Sequence, residues 1–377
     1  MKKCIIIPDS FKGTLSSAEI CTVMSNAVRR HWPDCEIHTI PVADGGEGTV
    51  DCFLAAMTGK KVPVHASGPF GEPVEGYYAR FGDRAVLEMS MFAGLPQAEG
   101  HLDPERAATF GVGEAIRRAV SDGCTEILLG LGGSCTNDGG CGMAAALGVR
   151  FYNKEGETFV PAGGTLSDIV RIDTSEAAAL LKNVRITAMC DIDNPLYGET
   201  GAAYVFAPQK GADDAMVKRL DAGLRHLAEV IGRDLVLSVS GLPGAGAAGG
   251  MGAGVVAFLG GSLRPGIEAV LDMTGFDDLL DGTDLVFTGE GRIDSQSLRG
   301  KVVIGTAHRA KAKNVPVIAV VGDIGPGAEG AYDHGVTALV SISRRPVDFS
   351  ICRAWSRESL EKAMEDFCRI WKCAAGK

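Results

Sequence analysis

Several signals that would assign a function at once are missing from this sequence. The eleven cysteines include no Cys-x-x-Cys pair, which excludes the common motif of zinc sites and of dithiol redox centres. There is no Walker A motif, because Ser295 stands where the Gly300-Lys301 pair would need a glycine. We therefore expect reduced cysteines that fill the core, with functional thiols at Cys135 or Cys141 as the alternative.

Long hydrophobic runs and an excess of positive charge are also missing. The apolar run at residues 4–8 is too short for a signal peptide, and the uncharged stretch 244–261 contains eight glycines, so it makes a poor membrane span. The net charge of −10 repels nucleic acid and anionic lipid. We expect a cytoplasmic protein whose main partner is neither nucleic acid nor a membrane.

Glycine, in contrast, is abundant, at 51 of 377 residues. This is about twice the usual share, and no collagen-like period accompanies it. The excess predicts many tight turns and places where the backbone approaches a ligand closely.

Strand and helix patterns alternate at both ends of the chain. Residues 3–8 predict a buried strand, Ser16 to Glu19 form a capping box that begins a helix, and residues 36–42 predict the next strand. The last hundred residues repeat this order. A strand, a helix and a second strand of this length are typical of a parallel unit with a right-handed crossover.

The middle of the chain has a different pattern. Residues 64–92 predict short antiparallel strands, and a helix is expected over residues 104–121 with Asp103 as its cap. We predict an α/β fold in which both chain ends (1–64 and 283–377) build a doubly wound parallel sheet domain. A mixed α/β domain (65–282) is inserted between them. Two sequential domains divided near residue 180 are the alternative.

Polar loops follow the predicted strands at the ends where open parallel sheets bind ligands. After the first strand, Lys12 supplies a cation and Ser10 a hydroxyl. After the second, Asp44 and Glu47 lie among glycines, where they could bind Mg²⁺ or substrate hydroxyls. The alternative for this pair is a capping box, with Asp44 as the N-cap of the next helix.

A glycine-rich segment over residues 130–140 follows another buried strand. Glycines allow backbone N–H groups to face a phosphate, and a following helix N-terminus favours negative charge. Ser134, Thr136 and Asn137 add hydrogen-bond donors. An anion site is therefore predicted here, and the alternative is a glycine-rich turn with Asp138 as a helix cap.

Two further loops carry charge. Asp191 and Asp193 follow a strand in the middle of the chain, as candidates for a metal ligand or a general base, and Lys210 lies a short distance beyond them. The loop 288–301 contains Glu290, Arg292 and Lys301 and can bind a carboxylate or a phosphate. The glycine pattern at residues 244–249 matches a dinucleotide motif, but no clear strand precedes it, so tight glycine packing or a loop beside a nucleotide is the better interpretation.

Taken together, these motifs resemble the type 1 family of bacterial glycerate kinases over nearly the whole chain. The segments that carry the resemblance are DSFKG at residues 9–13, VADGGEGT at 42–49, GGSCTNDGG at 132–140, DNPL at 193–196, PQKG at 208–211 and TGEGR at 288–292. Cys135 departs from the family pattern, where alanine is commoner. The resemblance implies transfer of phosphate from ATP to D-glycerate, which gives 2-phosphoglycerate. It also implies a requirement for Mg²⁺ and an active site in the cleft between two α/β domains.

Within that expected reaction we assign roles to the candidate residues. Lys12 and Arg292 would bind the anionic groups, Asp191 would be the general base, and Asp193 is its competitor or a metal ligand with Glu290. The remaining predictions are substrate binding by Ser10, Asp44, Gly45, Gly46 and Glu47, and nucleotide or phosphate binding by Gly132, Gly133, Ser134, Thr136, Asn137, Lys210 and Lys301.

Other function classes and the oligomeric state stay open at this point. A dehydrogenase that binds nicotinamide through residues 244–249 and a non-catalytic sensor of small acids are the alternatives. The sequence leaves the oligomeric state undecided, with a homodimer as one option.

Overall fold

A computed structural model describes residues 1–43, 45–345 and 347–374. The strands are β1 (Lys3–Pro8), β2 (Glu36–Thr39), β3 (Lys60–Ser67), β4 (Pro73–Phe81), β5 (Arg84–Glu88), β6 (Glu126–Gly130), β7 (Arg150–Tyr152), β8 (Thr158–Phe159), β9 (Arg171–Asp173), β10 (Arg185–Met189), β11 (Ser262–Arg264), β12 (Leu285–Gly289), β13 (Arg292–Ile293), β14 (Val317–Val321), β15 (Asp323–Ile324) and β16 (Ala338–Ser341). The helices are α1 (Ser17–His31), α2 (Thr49–Ala56), α3 (Ser90–Ala93), α4 (Phe110–Ser121), α5 (Cys141–Ala146), α6 (Ser175–Leu180), α7 (Ala202–Phe206), α8 (Asp214–Asp234), α9 (Ala247–Leu259), α10 (Gly266–Met273), α11 (Phe276–Leu279), α12 (Val302–Ala312), α13 (Phe349–Cys352) and α14 (Ser356–Ala374). None of the helices in these residues has both the length and the apolar character that a membrane span requires.

The chain divides into two compact units. One unit contains both chain ends (Met1–Ala43, Asp51–Thr58 and Ile267–Lys377), and the other contains Asp44–Val50 and Gly59–Gly266. A compact unit is defined by its packing, whereas a domain is defined by its ability to fold alone. The predicted domain boundaries, after residues 64 and 282, therefore stay a prediction.

The unit with the chain ends is built on a five-stranded sheet. Its strands are in the order β16-β14-β12-β1-β2, and every pair is parallel. Helices α1 and α14 pack on this sheet through an apolar core that includes Ile6, Phe287 and Met364. The predicted parallel sheet built from both chain ends is confirmed.

The other unit is built on a six-stranded mixed sheet. Its strands are in the order β11-β10-β6-β5-β4-β3, with antiparallel pairs from β3 to β5 and parallel pairs from β5 to β11. A small sheet of β8, β7 and β9 belongs to the same unit. The α/β class and the mixed character of the middle region are confirmed.

The predicted start of the helix over residues 104–121 is wrong, because α4 begins at Phe110. Asp103 instead closes a separate turn, in which its carboxylate accepts the N–H of Glu105 at 3.1 Å. The N–H of Thr109 donates to the carboxylate of Asp138 at 2.8 Å. This bond to a residue far along the chain holds Thr109, the residue directly before the helix.

The capping box of α1 is confirmed and gives a stability prediction. The Ser16 hydroxyl accepts the N–H of Glu19 at 3.3 Å, and the Glu19 carboxylate accepts the N–H of Ser16 at 2.9 Å. We expect Ser16→Ala to lower the free energy of unfolding in urea by about 1 kcal/mol, and Ser16→Thr to change it little. These hydrogen bonds to Ser16 lower the pKa of Glu19. The contribution of the box should therefore be complete at neutral pH and shrink below about pH 4. Equal stability of Ser16→Ala and the wild type would contradict the assignment.

Candidate active site

The parallel strands of the mixed sheet end at a common edge, and the predicted loops start there. Glu88 at the end of β5 and Met189 at the end of β10 both lie beside Gly130 at the end of β6. The glycine-rich loop follows β6, and the loop with Asp191 follows β10. This is the edge at which α/β sheets bind ligands.

Two glycine loops pack backbone against backbone at this edge. The N–H of Gly132 donates to the carbonyl of Gly45 at 2.9 Å. A Cβ at Gly132 would lie 2.6 Å from the Cα of Gly46, and a Cβ at Gly130 would lie 2.3 Å from the carbonyl oxygen of Gly45. The structure thus brings together the predicted Gly45, Gly46 and Gly132, and the close approach of the two loops leaves no room for a Cβ at Gly130 or Gly132.

The capping alternative for the loop 44–49 is wrong. Helix α2 begins at Thr49, whereas that alternative needs a helix that starts directly after Asp44. Asp44 itself lies outside the described residues, and the side chain of Glu47 is exposed.

Glu88, which the sequence analysis missed, holds the end of this loop. Its buried carboxylate accepts the N–H of Gly48 at 3.2 Å and the N–H of Val50 at 3.0 Å. The sequence did offer a signal, since Glu88 is a carboxylate directly after the apolar residues 85–87. A carboxylate in that place needs a partner, and here the partners are backbone donors.

The structure brings Lys210 to the glycine-rich loop. Its ammonium donates to the Ser134 hydroxyl at 2.8 Å and to the Thr136 carbonyl at 2.6 Å. The Lys210 side chain is almost fully buried, and this burial lowers its pKa to about 8. The predicted cation therefore lies beneath the loop rather than on its surface.

Several buried polar atoms of this region have no hydrogen-bond partner among the described residues. They are Ser90 Oγ, Thr136 Oγ1, Asn137 Nδ2 and Asn137 Oδ1. Ser90 was not predicted, and its Cβ lies 3.3 Å from an ideal Cβ at Gly133. Unpaired buried polar groups are uncommon in folded proteins, so their presence beside the glycine loop favours a binding function.

Asp138 fixes the far end of the same loop. Its fully buried carboxylate accepts the N–H and the hydroxyl of Thr109, each at 2.8 Å, the N–H of Gly140 at 3.0 Å and the N–H of Gly142 at 3.1 Å. Gly142 is in the first turn of α5, whose N-cap is Gly140, so Asp138 stabilises the start of this helix from two residues before the N-cap. This role and the anion-site prediction are compatible, because they concern different residues of the loop.

The two aspartates after β10 are exposed. Asp191 Oδ1 accepts the N–H of Gly266 at 2.7 Å, which fixes the orientation of that carboxylate. Asp193 lies two residues further along the same loop. Both carboxylates are therefore accessible to solvent.

Glycine packing explains the segment 244–249, as expected. An ideal Cβ at Gly249 would lie 2.0 Å from the Thr136 carbonyl oxygen, and one at Gly252 would lie 2.1 Å from that of Gly244.

Cys135 and Cys141 are buried, and burial raises the pKa of the Cys135 thiol to about 12. Such a thiol stays protonated, so the core-filling interpretation holds for Cys135.

The unit with the chain ends has its own group of predicted residues. The N–H of Asp9 donates to the carbonyl of Gly289 at 2.8 Å, so the loops after β1 and β12 are adjacent. An ideal Cβ at Gly291 would lie 3.3 Å from the backbone nitrogen of Lys12. The structure thus places the exposed side chain of Lys12, together with Ser10, next to the loop that contains Glu290.

Glu290 is the buried group of this second cluster. One carboxylate oxygen, Oε1, has no hydrogen-bond partner among the described residues. Burial raises the pKa of the Glu290 carboxyl to about 7, while the Ser297 hydroxyl and the Lys301 ammonium act in the opposite direction. A buried carboxylate oxygen without a protein partner is suited to bind a cation.

Arg292 and Lys301 differ in how their charge is compensated. Arg292 is 56% exposed, and its guanidinium forms ion pairs with Asp294 at 3.6 Å and Asp323 at 3.7 Å. Lys301 is exposed at the N-terminus of α12. Both side chains are thus accessible, and Lys301 lies close enough to Glu290 to lower the pKa of that carboxyl.

No group of three or more His, Cys, Asp or Glu side chains in the described ranges is arranged to hold a metal ion. Mg²⁺ in phosphate-transferring enzymes is usually bound by one or two carboxylates together with water and substrate phosphates. The partnerless oxygen of Glu290 fits that chemistry.

Comparison with known proteins gives a consistent result. The model of the glycerate kinase family matches residues 4–372 of this chain. The chain is 44% identical to a glycerate kinase of Bacillus cereus, with 100% of this chain and 99% of the relative covered. It is 42% identical to a glycerate 2-kinase of Escherichia coli, with 90% of each protein covered. Its structure matches a crystal structure assigned as a glycerate kinase 2 from Salmonella typhimurium LT2, with a TM-score of 0.87, 40% identity and 100% of both chains covered.

Proposed function

The chain belongs to the glycerate kinase family, and from this premise we propose that it transfers the terminal phosphate of ATP to the 2-hydroxyl of D-glycerate. The product is 2-phosphoglycerate, and Mg²⁺ is required. The observation that carries this proposal is 44% identity to a glycerate kinase across the entire chain.

Phosphoryl transfer needs positioned reactants and stabilisation of negative charge more than covalent work by the protein. The glycine loop of the mixed-sheet unit suits the nucleotide phosphates. For nucleotide or phosphate binding we assign Gly132, Gly133, Ser134, Thr136 and Asn137 of this loop, together with Lys210, and Lys301 of the unit with the chain ends. Partnerless donors at Thr136 and Asn137 support the assignment.

D-Glycerate is a carboxylate with two hydroxyl groups, so it needs a cation and several polar partners. We assign Lys12 and Arg292 to its carboxylate and to the phosphate in transfer. Ser10, Asp44, Gly45, Gly46 and Glu47 would bind the rest of the acid, and Asp44 is outside the described residues.

Mg²⁺, when bound, neutralises charge on the transferred phosphate. Glu290 is the better candidate ligand, since its carboxylate is buried and has an oxygen without a partner. Asp193 is the second candidate. The placement of the site in a cleft between two domains, the cytoplasmic location and the homodimer stay predictions.

We assign Asp191 as the general base that accepts the proton of the attacking hydroxyl. Asp191→Asn is then expected to lower kcat by about 100-fold or more, with a smaller change in KM, because general bases contribute about 10²- to 10⁴-fold to rates. Asp193→Asn, at the competing carboxylate on the same loop, is the comparison variant. Near-normal kcat in a correctly folded Asp191→Asn variant would remove the base assignment, and a large loss in Asp193→Asn alone would transfer it to Asp193.

The proposed function is tested by measuring ATP consumption in the presence of a panel of small hydroxy acids. We expect turnover that depends on D-glycerate, and phosphorus NMR of the product should show a phosphate ester on carbon 2. Reduction of a nicotinamide cofactor by glycerate would instead indicate a dehydrogenase. Binding of the acid with no ATP turnover would indicate a sensor.

A further inference from the structure

Lys210 has an unusual environment for a lysine. Only 1% of the residue is exposed, and its ammonium donates to two groups of the glycine loop, the Ser134 hydroxyl at 2.8 Å and the Thr136 carbonyl at 2.6 Å. Within the described part of the chain, no carboxylate forms an ion pair with it. The charged or titratable groups that face it from farther away are Asp138 and the Cys135 thiol.

Burial of the Lys210 ammonium in such a site costs free energy of folding. An ammonium that leaves water for an interior with only neutral hydrogen-bond partners loses most of its hydration without a matching opposite charge. A buried apolar side chain would pack there at lower cost. A buried cation of this kind is therefore a candidate for a functional role.

The Ser134 hydroxyl shows what that role is. A lysine ammonium has three donors and no acceptor, so Ser134 Oγ must be the acceptor in their hydrogen bond. The hydroxyl hydrogen of Ser134 is thereby directed away from Lys210. No acceptor for it is in hydrogen-bonding geometry among the residues that the structure describes, and the adjacent Gly133 is exposed.

We propose that Lys210 is a positioning residue. It holds the glycine loop in place through its hydrogen bond to the Thr136 carbonyl, and it turns the Ser134 hydroxyl toward a phosphate oxygen of the bound nucleotide. This inference rests on the proposed function and refines it. Lys210 then acts through Ser134 and does not touch the phosphate. The Ser134 hydroxyl is a donor next to the buried Lys210 cation. It therefore binds an oxyanion best, because an oxyanion is negatively charged and offers only acceptors.

The test compares Ser134→Ala, Lys210→Met and the double variant in steady-state kinetics. Each single variant is expected to raise KM for ATP by about 10- to 100-fold, the range for one hydrogen bond to a charged group. The double variant should lose about as much as the more damaging single variant alone, because both changes remove the same interaction. Lys218→Met, an exposed lysine on α8, is the matched control and should be unchanged.

A pH series separates this role from a purely structural one. Burial lowers the pKa of Lys210 to about 8, so the ammonium is present at pH 7 and is lost as the pH rises through 8. KM for ATP of the wild type should therefore increase between pH 7 and 9. In Ser134→Ala and Lys210→Met this increase should be absent. A lysine that only supports folding would change the melting temperature of Lys210→Met and leave the pH profile of Ser134→Ala like that of the wild type.

Several results would overturn the proposal. They are an unchanged KM for ATP in Ser134→Ala, additive losses in the double variant, and an increase confined to KM for D-glycerate. If Lys210→Met fails to fold, the kinetics and the pH profile of Ser134→Ala become the deciding measurements. If the wild type shows no glycerate-dependent turnover, the proposed function fails, and calorimetric titration of ATP into the wild type and Ser134→Ala then decides this inference separately.

Discussion

Asp138→Ala is expected to lower the free energy of unfolding by at least about 4 kcal/mol. The carboxylate accepts four hydrogen bonds, two from Thr109 and one each from Gly140 and Gly142. All of these donors are buried with it, so removal of the acceptor leaves them unpaired in the interior. Each unpaired donor costs about 1–3 kcal/mol. Urea unfolding followed by circular dichroism measures the change.

Asp138→Asn distinguishes loss of the acceptor from creation of a cavity. The amide keeps the size of the carboxylate but turns one oxygen into a donor, which must face another donor in this site. We expect an intermediate loss of stability, together with a lower kcat/KM, because the glycine loop shifts. Asp214→Asn, at an exposed position on α8, is the control. If Asp138→Asn were as stable and as active as the wild type, the four-donor arrangement would not hold the loop.

The hydrogen bonds of Asp138 also illustrate which features could be predicted from the sequence and which could not. Apolar runs and the Ser16 capping box are local signals, so the strands of the parallel sheet and the start of α1 could be predicted. The residue that precedes α4, Thr109, is held by its bond to Asp138, which is 29 residues away. A local pattern carries no information on such a bond.

The candidate site shows the same division. In the sequence, glycine-rich and charged segments directly follow predicted strands. This position was enough to select the loop 130–140 and the loop 44–49 as candidates. The sequence could not show that Gly132 touches Gly46, because that contact depends on the order of strands in the sheet. It also identified Lys210 as a cation without showing its burial, because Lys210 and Ser134 are 76 residues apart.

Gly132→Ala is expected to lower kcat/KM by about 100-fold. The new Cβ would lie 2.6 Å from the Cα of Gly46, where ordinary contacts begin near 3.4 Å, so the two loops must separate by roughly 1 Å. A displacement of that size at reacting groups costs about 10²-fold in rate. The cost in stability should be smaller, at about 1–3 kcal/mol, since the overpacking is confined to the backbone of Gly45 and Gly46.

Gly241→Ala is the matched control for this change. An ideal Cβ at Gly241 has no atom within 4 Å, and its φ is not in the left-handed region, so both activity and stability should stay close to the wild type. If Gly132→Ala kept full activity, the two loops would not need their close approach for catalysis. A loss of kcat/KM in Gly132→Ala with nearly unchanged unfolding would instead show that the spacing of the loops serves catalysis more than folding.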